Sequence, residues 1–151
     1  MLGRMQRPAD FEHALAIQAR ARSAHFAAHH VARVPSRGAA GPARPSAADL
    51  STGDPKACAQ PVDEPVLPAP DRCWFGTVVP KRHARKAATR NLLRRQIRAA
   101  MERHHAALAH GLWLVRLRAP FDARRYHSAA SAALRAAARD ELDALLTRAA
   151  A

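Results

Sequence analysis

The chain has 151 residues, with 25 Lys or Arg against 12 Asp or Glu, so its net charge is +13. Such a field attracts polyanions and disfavours basic partners, without distinguishing DNA, RNA and an anionic membrane. No apolar run reaches the roughly 20 residues that cross a bilayer, so no membrane partner is expected. Cys58 and Cys73 form no CxxC pair, which favours a reduced, cytoplasmic protein and disfavours a structural zinc site.

Two elements are predicted before the first proline-rich stretch. Apolar residues recur at helical spacing around Phe11, which predicts a helix over 9–22, and the preceding residues 1–8 are expected to be a flexible tail. Residues 24–34 alternate in the manner of a weak strand. We expect its histidines to face solvent rather than to hold zinc, because no further cluster with ligand spacing occurs. These histidines are His25, His29 and His30.

From Pro35 to Asp71 the composition changes. Eight of the 11 prolines lie here, and the stretch contains no aromatic residue. This composition predicts a disordered Pro- and Ala-rich insertion at 36–71, within a single domain of residues 9–151. A solvated insertion between two strands is favoured over a tether for another protein.

Four further elements follow the insertion. A buried strand is predicted over 73–79, a helix over 87–105, an alternating strand over 112–118 and a last, Ala-rich helix over 128–148. The order of helices and strands predicts an α+β or split α/β fold with one small sheet.

The first of these two helices and the loop before it are strongly basic. Between Lys81 and Arg98 there are eight Lys or Arg residues and no acid. Leu93 and Ile97 fall on a stripe that faces the core, which leaves the basic residues on an exposed side. A solvated helix face is the ordinary interpretation of a charge run. However, positive charge without acidic partners at i±4 is costly unless an anion binds, so RNA binding is favoured.

Catalytic chemistry has little support in the sequence. The acids are scattered and form no pair near the basic helix, as a two-metal nuclease site would require. A Gly-rich phosphate loop, a GxSxG motif and a Cys with an arranged base are all absent from the sequence. We therefore predict no catalytic and no metal-binding residue, and binding remains as the function.

The stretch FGTVVPKRHARKAATRNLLRRQIRAAMERH resembles the signature of the protein subunit of bacterial ribonuclease P, in which a strand and a basic loop precede a helix bearing Arg-Asn-Arg-x-x-Arg. The strand LWLVRLRAPF, the pair Asp10-Phe11 and the stretch HFAAHHVAR also occupy matching places. Leu92 stands where the motif has its second Arg, and Leu15 and His29 replace rings that often line the family's cleft.

The resemblance implies an α+β fold in which a small four-stranded sheet packs against helices, with a left-handed β-α-β crossover. It also implies a ribonucleoprotein that removes the 5′ leader from precursor tRNA in the cytoplasm, with hydrolysis by the RNA subunit and Mg²⁺ held by that RNA. The protein alone would bind no cofactor; its partners would be ribonuclease P RNA and the leader. Phe11 and Phe26 would line the leader-binding cleft. The implied RNA contacts are Lys81, Arg82, Arg85, Lys86, Arg90, Asn91, Arg94, Arg95 and Arg98.

Two other functions stay open at this point. A ribosomal or ribosome-assembly protein with the same basic frame would bind ribosomal RNA and show no dependence on a leader. A diverged, metal-using nuclease would cleave without any RNA subunit, and the scattered acids count against it.

Overall fold

The computed structural model describes residues 2–36 and 69–151, and within them it contains one open five-stranded sheet and three helices. The predicted mixture of helices and strands is confirmed, with five strands in place of four. None of the described helices is long and apolar enough to cross a membrane. In chain order the elements are β1 (Leu2–Arg4), α1 (Pro8–Ala16), β2 (Ala21–Arg22), β3 (Phe26–Val31), β4 (Cys73–Val78), α2 (Ala87–His104), β5 (Gly111–Leu117) and α3 (Ala132–Ala150).

The strands lie in the order β1-β4-β5-β3-β2. β1, β4 and β5 are parallel neighbours, and β3 and β2 continue the sheet in antiparallel pairing. Because β4 and β5 are parallel and adjacent, α2 is the crossover that joins them. The left hand of this crossover stays a prediction. The predicted insertion at 36–71 lies almost wholly outside the described residues.

Residues 2–5 correct the prediction of a flexible tail. Leu2, Gly3 and Arg4 pair with β4, and the N–H of Met5 donates to the carbonyl of Phe75 at 2.8 Å. Met5 is buried at 2 % exposure. A three-residue strand is too short for a periodic pattern, so only its pairing with β4 reveals it.

The two faces of the sheet are covered unequally. α2 and α3 cover one face, where the large core cluster includes Trp113, Ile97 and Leu145. α1 packs on the other face over Leu112 and Leu114. Further along the same face of β4 and β5, side chains such as Val78 and Arg116 are only half-buried. α1 thus leaves part of this face of the sheet uncovered, next to the edge strand β1.

Candidate RNA-binding site

The helix α2 has one apolar side and one basic side. Leu92, Leu93 and Ile97 are buried at 2 % exposure or less, so this side holds the helix against the core. Leu92 thereby packs inside the protein at the position where the resemblance would place a second motif arginine. The opposite side exposes the amide Asn91 and three arginines, Arg94, Arg95 and Arg98.

These arginines keep most of their charge available for a ligand. Arg98 forms an i,i+4 pair with Glu102 at 2.9 Å, but both side chains are more than half exposed, so the pair is weak. Among the residues that the structure describes, neither Arg94 nor Arg95 is paired with an acid. Exposed guanidinium groups that have no acidic partner, or only a weak one, are suited to bidentate hydrogen bonds with phosphate.

Arg90 has a structural role in addition to the RNA contact implied by the motif, which stays a prediction. Its guanidinium donates to the carbonyl oxygens of Ala84 and Arg85, at 2.9 and 2.7 Å. The side chain is half-buried and ties the basic loop to the first turns of α2. In this structure it positions the loop.

A cavity of about 250 Å³ lies at the edge of the sheet, between α1 and α2; we call it the edge cleft. It forms because β1 ends at Arg4 whereas β4 continues to Val78, which leaves this part of β4 without a strand neighbour on that side. Phe11 of α1 lies directly over Gly76, where a Cβ atom would be 2.6 Å from the ring. The lining residues are Arg4, Met5, Phe11, Phe75, Gly76, Thr77, Arg94, Arg95 and Arg98.

The edge cleft therefore brings together part of the predicted site. It unites the ring of Phe11 with three of the predicted arginines, and it adds Arg4, which the sequence placed in a tail. An aromatic ring beside several guanidinium groups is the combination that holds single-stranded nucleic acid, with bases on the ring and phosphates on the cations.

Phe26 does not lie in this cleft, and its predicted contact with the leader is wrong for this structure. Its side chain is fully buried at 0 % exposure in the core cluster under α2 and α3. The ring packs 5.8 Å from that of Phe121. Because alternate strand residues point to opposite faces, Phe26 lies on the side of the sheet away from α1.

The strand histidines also differ from the prediction that they face solvent. His29 is buried at 3 % exposure, and its Nδ1–H donates to the carbonyl of Ile17 at 2.9 Å. Burial lowers the pKa of His29 and that of His30, whose ring packs 4.5 Å from Trp113. His25 lies at the other end of the strand, so the three do not converge. Within residues 2–36 and 69–151, no three His, Cys, Asp or Glu side chains are grouped so that they could hold a metal ion.

The remaining basic residues lie elsewhere. Arg82, Arg85 and Lys86 line a second cavity of about 670 Å³, which we call the loop pocket. Lys81 is exposed and lines neither cavity. The single RNA surface expected from the sequence is therefore divided into two basic sites.

The sequence of the chain is similar to those of known proteins. The family model described as Ribonuclease P matches residues 2–149 of the chain. A protein named Ribonuclease P protein component from Paraburkholderia xenovorans (strain LB400) is 41 % identical over 83 residues, which are 55 % of this chain and 60 % of that protein. One of the same name from Burkholderia pseudomallei (strain 1106a) is 44 % identical over 76 residues, 50 % of this chain and 56 % of its own. The match thus spans less than two thirds of the length of these relatives.

Two solved structures share the fold. The Staphylococcus aureus RNase P protein mutant with defective mRNA degradation activity has a TM-score of 0.56 at 15 % identity, over 95 % of this chain and 85 % of its own. The Staphylococcus aureus RNase P protein has a TM-score of 0.53 at 13 % identity, over 95 % and 92 %. At such identities the likeness concerns the fold alone.

Proposed function

The chain belongs to the ribonuclease P protein family, and on that premise we propose that it is the protein subunit of a ribonucleoprotein that removes the 5′ leader from precursor tRNA. Relatives from Paraburkholderia xenovorans and Burkholderia pseudomallei are named Ribonuclease P protein component. The observation that best supports the proposal is the edge cleft, which is lined by Phe11 together with Arg94, Arg95 and Arg98. The cleft offers both of the contacts that a single-stranded leader needs.

In this proposal the RNA subunit hydrolyses the phosphodiester bond, with Mg²⁺ held by RNA. The exposed arginines of α2 neutralise phosphates, which releases counterions and favours assembly. The chain thus contributes substrate affinity and a lower demand for Mg²⁺, and it works in the cytoplasm, where precursor tRNA is processed.

The leader would lie in the edge cleft with a base against Phe11. A ring accepts any base, because every base has a π-face. The backbone phosphates of the leader would then lie near the guanidinium groups of α2. This tolerance suits a subunit that meets many different leader sequences.

Replacing Phe11 by alanine tests this role. Loss of one base–ring stack of about 1–3 kcal/mol predicts a loss of roughly 5- to 150-fold in affinity for precursor tRNA. Affinity for mature tRNA, which has no leader, is expected to stay unchanged. The measurement is the dissociation constant of both tRNAs with the complex of ribonuclease P RNA and each variant.

Two further variants sharpen this test. Glu12→Ala changes an exposed neighbour on α1 that does not line the cleft, and it should leave both affinities unchanged. Gly76→Ala keeps the ring but pushes it out of place, because the added Cβ would lie 2.6 Å from Phe11. It should weaken precursor binding as well. Equal losses for precursor and mature tRNA in Phe11→Ala would show that the ring only supports the fold.

A further inference from the structure

The loop pocket is a second cavity outside the edge cleft. Its walls are the basic loop before α2 and the segment 120–129 that joins β5 to α3. Its volume of about 670 Å³ lies in the ordinary range for small-molecule sites. The hydroxyl of Thr89 on α2 donates to the carbonyl of Ala129 at 2.6 Å, which fixes the two walls relative to each other.

One wall of the pocket consists of aromatic rings, and residues behind these rings hold them in position. The ring of Phe121 stacks on that of His25, with centroids 4.0 Å apart and planes 9° from parallel. His25 is in turn held by Glu141, 2.7 Å from Nδ1. Tyr126 meets Phe121 edge-on at 5.7 Å and is itself half-buried. The rings are therefore held in place before any ligand arrives.

The opposite wall is cationic. Arg82, Arg85 and Lys86 are exposed there, and in the described part of the chain none of them is paired with an acid. Asp122 is the one acid among the lining residues, and its Oδ1 accepts the N–H of Arg124 at 2.9 Å. The pocket thus combines rings with an excess of positive charge.

We propose that the loop pocket binds one unpaired RNA nucleotide, with its base against Tyr126 and its phosphate against Arg82, Arg85 and Lys86. A peptide of acidic residues would contact only the cations, whereas a nucleotide can contact both the cations and the ring of Tyr126, over which the Arg125 guanidinium already lies 5.7 Å from the centroid. This inference rests on the proposed function in one respect only, namely that the ligand is RNA. It is separate from the edge cleft, so RNA would be held on both sides of α2.

Tyr126 is the single tyrosine of the chain, which gives the site its own probe. Replacement by 3-fluorotyrosine yields a protein with one ¹⁹F resonance, located in the pocket. Titration with a uridine pentanucleotide is expected to shift this resonance. An abasic pentamer with the same phosphates should bind at least about fivefold more weakly to the pocket, the lower limit for losing one stacked base.

Single substitutions show whether the pentanucleotide binds in the loop pocket. In a Phe11→Ala background, which removes the stacking ring of the edge cleft, Tyr126→Ala should weaken pentamer binding by about fivefold or more, measured by fluorescence anisotropy, whereas Tyr126→Phe should retain it. Arg82→Ala should reduce the shift of the labelled residue. Arg148→Ala is the control with the same loss of charge, since it lies 14 residues beyond the lining residue Leu134, roughly 21 Å along α3.

Three results would overturn the site: a resonance that does not move while the pentamer binds, equal responses to the normal and abasic pentamers, or an equal response to polyglutamate. The first would place binding in the edge cleft alone, and the last would make the pocket a site for acidic peptide. A shift of Tyr126 without stimulation of tRNA cleavage would instead retain the pocket and reject the proposed function.

Discussion

Replacing Arg94, Arg95 and Arg98 together by alanine is expected to flatten the salt dependence of RNA binding by about three phosphate contacts. Each contact contributes roughly 0.7–0.9 to the slope of log K against log salt concentration, so the slope should fall by about 2–3. The three side chains are exposed on one side of α2 and line the same cavity. Alanine favours the helix, so the fold should survive the change.

The measurement is affinity for ribonuclease P RNA at several salt concentrations. A matched control removes three charges from exposed positions on α3, with Arg135, Arg139 and Arg148 changed to alanine. The control lowers the net charge by the same amount but changes no residue that lines the edge cleft. It should therefore weaken RNA binding only slightly, through the long-range electric field of the protein. Equal changes of slope in the two triple variants would contradict the assignment of the RNA contacts to α2.

Replacing the half-buried Glu141 by alanine is expected to lower the free energy of unfolding by about 1.5–3 kcal/mol, the range for hydrogen bonds to a charged group. Its carboxylate accepts the hydroxyl of Ser23, the N–H of His25 at 2.6 Å and, through the other oxygen, Nδ1 of His25 at 2.7 Å. These bonds join α3 to the turn between β2 and β3. Removal of the carboxylate would leave these donors without their acceptor, behind the aromatic wall of the loop pocket.

The same carboxylate gives the stability a pH dependence. Burial by itself would raise the pKa of Glu141, but the hydrogen bonds from Ser23 and His25 outweigh it, so the pKa lies below its ordinary value of 4.5. The stabilisation by the Glu141 carboxylate is therefore fully present above about pH 4.5. It is lost as the pH falls through the lower pKa that this group has in the folded protein.

Urea unfolding at pH 7 and over a series from pH 5 downward measures both effects. Glu141→Gln keeps the shape but removes the charge, so part of the loss in acid should disappear in this variant. Asp140→Ala changes the exposed neighbour and should alter stability by no more than about 0.5 kcal/mol. A Glu141→Ala protein as stable as the Asp140→Ala protein would contradict the role of this carboxylate.

The centre of the fold could be predicted from the sequence because its signals are long. α2 has a sustained apolar stripe beside an unbroken basic run, and the structure places Leu93 and Ile97 in the core and Arg94 and Arg95 at the surface. β1 and β2 have three and two residues, and their positions depend on pairing with β4 and β3. Such contacts between distant residues leave no local pattern.

The errors at Phe26 and His29 have a shared cause. All four residues from Phe26 to His29 are buried, so β3 is covered on both faces where it was expected to be half-exposed. A strand buried on both faces loses the alternation of apolar and polar residues that shows which way each side chain points. The loop pocket was missed for another reason, since the segment 120–129 has no periodicity and acquires its role only when packed beside α2.

Cleavage of a precursor tRNA by a bacterial ribonuclease P RNA at low Mg²⁺, measured with and without the purified protein, decides whether the protein is a subunit of ribonuclease P. We expect cleavage at the mature 5′ end that depends on the protein, and no cleavage by the protein alone. Absence of stimulation despite tight binding to the RNA would contradict the proposed subunit role, and so would cleavage by the protein without any RNA subunit.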